Sequence, residues 1–110
     1  MALSKKNRLK KQSDFQEVFK KGRAIGANFL FIKVKENSLA VDRFGFVIPS
    51  RIIKNAVGRN RIKRILTETV RINLSTMKQG YDVIVGLRKP EATPKLKDDL
   101  LKLIKKAGLI

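Results

Sequence analysis

The chain has no cysteine, no histidine and no tryptophan among its 110 residues, and acids are scarce: 9 Asp and Glu stand against 26 Lys and Arg. Without cysteine there is no disulfide and no thiolate metal site. Without histidine, the usual general base near neutral pH and the usual zinc ligand are both missing. The carboxylates are scattered. Asp98 and Asp99 are adjacent, so on a helix they point in different directions. A two-metal nuclease site wants several convergent carboxylates, and none is visible. No apolar run approaches the roughly 20 residues needed to cross a bilayer. The opening MALSKKNRLKKQ lacks the apolar middle of a signal peptide, so a cytoplasmic address is expected.

What is present in excess is positive charge. The net charge is +17, which weakens the compact state by self-repulsion and attracts polyanions. The length fits one domain, 1–110, large enough to bury a core. Residues 1–11 are basic and show no core-facing pattern; they are expected to form a flexible or loosely docked arm.

Beyond the arm the pattern resolves into elements. Ser13 with Gln16 has capping-box spacing, Phe15, Val18 and Phe19 recur at helical spacing, and Gly22 is a stop. NFLFIKVK, residues 28–35, alternates as a strand, and RFGFVI, residues 43–48, reads as a second strand antiparallel to it. Residues 22–27 add a short edge strand. From about Asn55 to Asn73, Ile62, Ile65, Leu66 and Val70 make a helical stripe. YDVIVGL, after Gly80, reads as a buried central strand. The last helix has Thr93 as N-cap, Pro94 in the first position, Gly108 as the stop, and a face of Leu96, Leu100, Leu103, Ile104 and Ala107. The order α-β-β-(β)-α-β-α indicates an α/β or α+β fold, with three helices covering part of a small mixed sheet.

The stretch GRNRIKR, Gly58 to Arg64, opens the middle helix. Arg59 and Lys63 are i, i+4 neighbours, and Arg61 and Arg64 are i, i+3. Like charges at these spacings cost a few tenths of a kcal/mol per pair, and cations in the first turns oppose the helix dipole. A polyanion relieves both penalties, and the Arg fork suits phosphate oxygens. A merely solvated face would mix signs, whereas here only Glu68 offers local relief. Charge and spacing alone leave RNA and DNA both open. A DNA regulator would want more polar base-reading residues on this helix than its one Asn. A membrane-surface helix would want a broad apolar face with aromatics, and the stripe here is aliphatic.

KNAVGRNRIKR, Lys54 to Arg64, closely resembles the Arg-Asn-Arg signature of the bacterial ribonuclease P protein subunit. NRLKKQSDFQEVFKKG, FGFVIPSR and YDVIVGLRKP resemble that family's opening helix, pre-signature strand and last strand, in the same order. The resemblance implies an α/β sandwich with a left-handed βαβ crossover, against the usual handedness. It also implies an accessory subunit that joins a catalytic RNA to remove the 5′ leader from precursor tRNA. Catalysis would lie in the RNA and its Mg²⁺, with no catalytic residue in the protein.

Carried over by position, the resemblance implies catalytic-RNA contacts at Arg59, Asn60, Arg61, Lys63 and Arg64. It implies a leader cleft with Phe15 and Phe19, which share a helix face at i, i+4, joined by Arg51, Arg88 and Lys89, with Lys54 restoring a cation to the cleft from a different direction. The sheet position that is often Tyr in the family falls on Phe31 or Ile32. Ile52 and Lys54 depart from the family's usual Lys and Gly. Lys5, Lys6, Arg8, Lys10 and Lys11 would add nonspecific RNA contacts. The alternative is a ribosomal or other structural RNA-binding protein; paired aromatics beside a basic strand exit favour single-strand binding instead.

Overall fold

In a computed structural model, residues 3–89 and 93–110 are described, apart from the side chains of Thr93 and Pro94. The alternation in LFIKVKE buries Leu30, Ile32 and Val34 on one face and leaves Phe31, Lys33 and Lys35 half-buried on the other, along strand β2, Leu30–Glu36. The short β1, Arg23–Gly26, pairs antiparallel with it at the sheet edge. The continuous apolar run becomes β4, Tyr81–Leu87, buried from Asp82 to Leu87. It lies between β2, to which it is antiparallel, and β3, Arg43–Val47, to which it is parallel. The order is β1-β2-β4-β3. β3 thus runs opposite to β2, as expected, but β4 separates the two. A strand apolar on both faces belongs in the interior, where each face is covered.

Parallel neighbours need a long crossover, and helix α2, Ala56–Asn73, supplies it between β3 and β4. Its N-cap is Asn55, whose Oδ1 accepts from the Gly58 N–H at 2.6 Å. Ile62, Leu66 and Val70 are buried. Helix α3, Thr93–Lys106, follows β4; Leu96, Leu100, Leu103 and Ile104 are fully buried. It stops where expected, with Gly108 at φ 75°. The caps expected of Thr93 and Pro94 concern side chains outside those described. Helices α2 and α3 share the main core with Ile32, Val34, Val83 and Val85. Among the described residues no helix is long and apolar enough to cross a membrane.

Helix α1, Gln12–Lys21, lies on the opposite face, where Val18 and Phe15 pack with Leu9, Ile84 and Val47. It begins earlier than Ser13 predicts: Lys11 is the N-cap residue, and no side chain caps the helix. The preceding chain fixes this start. Leu9 N–H donates to Phe44 O at 2.9 Å, which brings Lys11 to the end of the sheet already positioned to turn.

That contact corrects the expectation for the arm. Among its described residues, Leu3 and Leu9 are buried, and the buried Asn7 donates from Nδ2 to Asp42 O at 2.8 Å. Arg8 bridges to Phe44 in the parallel sense. β3 is an edge strand, and its outer polar backbone is met here by the arm. Two isolated leucines in a basic segment give no periodicity from which docking can be read.

Candidate nucleic-acid interface

The loop before α2 is shaped by backbone bonds from Ile52 and Ile53 N–H to Pro49 O. Arg59 turns back over it, and its Nη1 donates to Ile53 O at 3.0 Å and Lys54 O at 2.7 Å. Arg59 is therefore half-buried and ties the loop to the helix. Asn60, Arg61, Lys63 and Arg64 are exposed around the buried Ile62. Among the described residues, Arg61, Lys63 and Arg64 form no ion pair. Glu68 pairs one turn on with Arg71, which holds the Glu68 carboxyl down at about 2.

The face of the sheet that carries α1 is only partly covered. One cross-strand row runs Gly26, Phe31, Gly86, Val47, and the next runs Ala24, Lys33, Ile84, Gly45. Phe15 lies over Gly45, where a Cβ would collide with its ring. Phe31 lies over Gly86 in the same way. Phe19 is 39% exposed, so its ring is open to solvent at the end of α1. Lys33 reaches over that ring, with Nζ 5.4 Å from the centroid, and donates to Phe19 O at 2.8 Å. Three phenyl rings thus lie along one face, two of them laid over glycines.

Cations border this face. Arg88 sits at the exit of β4 and donates from Nη1 to Ala27 O at 3.0 Å; Lys89 follows it, exposed. Arg51 and Lys54 are exposed in the loop before α2. At the β3 edge a groove of about 470 Å³ is lined by Phe15, Phe46, Lys63, Arg8 and Lys10. It brings together residues expected separately in the cleft, the signature helix and the arm. Lys6 instead lines a second depression with Arg71, and Lys5 and Lys11 are simply exposed.

Among the described residues, the buried or half-buried acids Asp14, Asp42, Asp82 and Asp99 are engaged with the protein itself, as the half-buried Glu68 is through Arg71. Asp82 receives both Arg43 Nε and Nη2, at 2.8 and 2.7 Å, and Asp14 approaches the same guanidinium at 3.5 Å. Asp99 Oδ2 accepts from Phe29 and Leu30 N–H, both at 2.9 Å, and fixes the start of β2. Asp42 Oδ1 accepts from Tyr81 N–H at 2.9 Å. Burial pushes the Asp42 carboxyl up, against hydrogen bonds from Tyr81 and Gly80 that pull it down. Among the described residues no three Asp or Glu converge on a point that could hold a metal ion.

A family model described as Ribonuclease P matches residues 3–108. The ribonuclease P protein component of Alkaliphilus oremlandii is 37% identical over 107 residues, covering 94% of this chain and 93% of that one. The chain belongs to the ribonuclease P protein family. The component from Alkaliphilus metalliredigens is 36% identical over 94% of this chain and 96% of its own. The solved ribonuclease P protein of Staphylococcus aureus, in a mutant with defective mRNA degradation activity, superposes with a TM-score of 0.89 at 29% identity, covering 96% and 92%. That of Thermotoga maritima gives 0.81 at 26%, covering 90% and 96%. A ribonuclease P protein is the accessory subunit of an endoribonuclease that matures tRNA 5′ ends, and it associates with that enzyme's RNA.

Within this ribonuclease P protein, the two positions left open on β2 separate cleanly. Ile32 is fully buried on the α2/α3 side, and Phe31 is on the face that carries α1. Ile52 is half-buried against the main core, so no cation projects there; Arg51 and Lys54 flank it in the same loop. Lys33, Gly45 and Gly86 join the site without having been singled out from the sequence. Strand alternation from Phe31 to Lys33 is the signal that could have found the lysine. Nothing local marks the two glycines, because the rings that cover them come from other elements.

Proposed function

We propose that this chain grips the catalytic RNA of ribonuclease P with the exposed side of α2 and holds the single-stranded 5′ leader of precursor tRNA along the open sheet face. The observation that carries this is the row of Phe15, Phe19 and Phe31 on one face, bordered by cations and free of exposed acids from its own strands. Stacking on an aromatic face contributes about 1–3 kcal/mol per base and tolerates any base. Phenyl rings carry no donor or acceptor, so they offer no hydrogen-bond readout of a leader whose sequence varies. Asn60, Arg61, Lys63 and Arg64 meet phosphates of the catalytic RNA. Arg59 does so less directly, since it holds the loop that carries Lys54. Arg51, Lys54, Arg88 and Lys89 neutralise the leader backbone, and Arg8, Lys10 and the other arm cations add contacts without sequence preference. Mg²⁺ is held mainly by the RNA, and the complex works in the cytoplasm.

The test is the holoenzyme with Phe15→Leu and Phe19→Leu. Leu keeps most apolar volume and removes the π-face. Affinity for precursor tRNA should fall by at least roughly fivefold to a hundredfold, the range of one lost stack, and further where both rings stack. Affinity for mature tRNA and for the RNA subunit should not change. Variants that fold normally yet bind both tRNA forms as before would show these rings to be ordinary packing.

A further inference from the structure

Three of the glycines share a property. The side-chain position at Gly26 is occupied by Arg88, that at Gly45 by Phe15 and that at Gly86 by Phe31. Each covering residue belongs to the proposed leader surface. Gly26 and Gly86 are moreover the two cross-strand neighbours of Phe31, so the row reads glycine, phenylalanine, glycine, valine. In a sheet, the residues directly opposite normally rise beside a side chain about 5 Å away. Here both are absent. The Phe31 ring leans over Gly86, and Arg88 reaches across Gly26, with Nη1 2.7 Å from where a Cβ would be. Lys33 follows two residues along on the same face.

We propose that Gly86 and Gly26 are positioning residues that make a single-base stacking subsite of Phe31, with Arg88 and Lys33 taking the phosphates on either side. The proposal rests on the leader reading above. The occupant is one unpaired base of the leader. The half-buried Phe31 ring lies over Gly86, and Arg88 rather than a β-carbon stands over Gly26, so no side chain of its two cross-strand neighbours rises beside the ring; the side chains that flank it, Arg88 and Lys33, are both cationic. Arg88 spends one N–H on Ala27 O and keeps others for a phosphate. Gly86 acts only through Phe31: a methyl at 86 would force the ring up off the strand and close the platform. The subsite has no polar atom on its floor, so it reads the presence of a base and not its identity.

The coupling between the two residues makes this testable. Holoenzymes are prepared with the wild-type protein, G86A, F31L and F31L/G86A, and each is titrated with precursor and mature tRNA. G86A should lower precursor affinity roughly fivefold to a hundredfold, the range of one base–aromatic stack, and leave mature tRNA binding unchanged. F31L should do the same. The double variant should be no worse than F31L, because Leu does not need the space over residue 86; such non-additivity is the signature of contact. If G86A does not fold by itself while F31L/G86A does, the packing relation is confirmed and the stack is read from F31L with and without a leader. The inference is overturned if G86A leaves precursor affinity intact, or costs as much in the F31L background as in the wild type. If the wild-type holoenzyme itself binds precursor and mature tRNA alike, the leader reading fails, a result distinct from a Phe31-independent G86A effect.

Discussion

Replacing Arg61, Lys63 and Arg64 together by Ala isolates the electrostatic half of the interface. All three are exposed on α2 and have no acid partner among the described residues, while Ile62, Leu66 and Val70 hold the helix to the core from its other side. Ala is the best helix former, and the change removes the Arg61–Arg64 repulsion at i, i+3, worth a few tenths of a kcal/mol. The free protein should therefore unfold at the same temperature or slightly higher. RNA binding should behave in the opposite way. Each phosphate contact contributes about −0.7 for a single strand to −0.9 for a duplex to the slope of log K against log salt. Three lost contacts make the slope shallower by about 2.1 to 2.7. Between 50 and 200 mM salt, a fourfold change, the ratio of wild-type to variant affinity for the catalytic RNA should shrink by roughly 20- to 40-fold. The assay is equilibrium binding of labelled RNA at several salt concentrations. Parallel slopes for the two proteins would refute the placement of these side chains on phosphates.

Arg43 joins β3 to β4 through Asp82 and to α1 through Asp14, with its own side chain only 24% exposed. Arg43→Met should destabilise by about 3–5 kcal/mol, the cost of stripping one partner from a buried pair; thermal unfolding should fall by at least about 10 °C, and an unchanged midpoint would show the network to be dispensable. Asp42 should titrate above its ordinary value of 3.8, because burial disfavours its charge. Between the ordinary and the raised value the folded state keeps a proton that the unfolded chain has lost. This group's contribution to stability therefore declines as pH rises through that window. Carboxyl-carbon NMR of Asp42 reads the midpoint directly, and a value at or below 3.8 would contradict the burial argument.

The elements were largely legible because each carries its own period. The run YDVIVGL could only be interior, and the stripe of Ile62, Leu66 and Val70 could only be one helix face. The alternation from Leu30 to Lys35 also placed Phe31 and Ile32 on opposite sides, although the sequence did not say which side would be covered. What escaped was set by partners distant in the chain. The insertion of β4 between β2 and β3 depends on the crossover. The docking of Leu3 and Leu9 depends on the free edge of β3. Ser13 has capping-box spacing yet does not cap, because the docked arm had already fixed the start of α1 at Gln12. Within the interface, the exposure of Arg61, Lys63 and Arg64 followed from helical spacing. The inward turn of Arg59 toward Ile53 and Lys54 did not, since it answers two loop carbonyls that only the fold brings near. The acids looked scattered in sequence; Arg43 gathers Asp14 and Asp82 into a structural network and leaves them no part in the interface.

The partnership of this chain with a catalytic RNA, and through it with the tRNA leader, is put to the test by purifying the chain from its native cell and identifying the RNA that comes with it. The RNA recovered should be one abundant, stable species that, stripped of protein and supplied with Mg²⁺, removes the 5′ leader from a tRNA precursor. Recovery of ribosomal RNA alone, with no such cleavage, would refute the partnership.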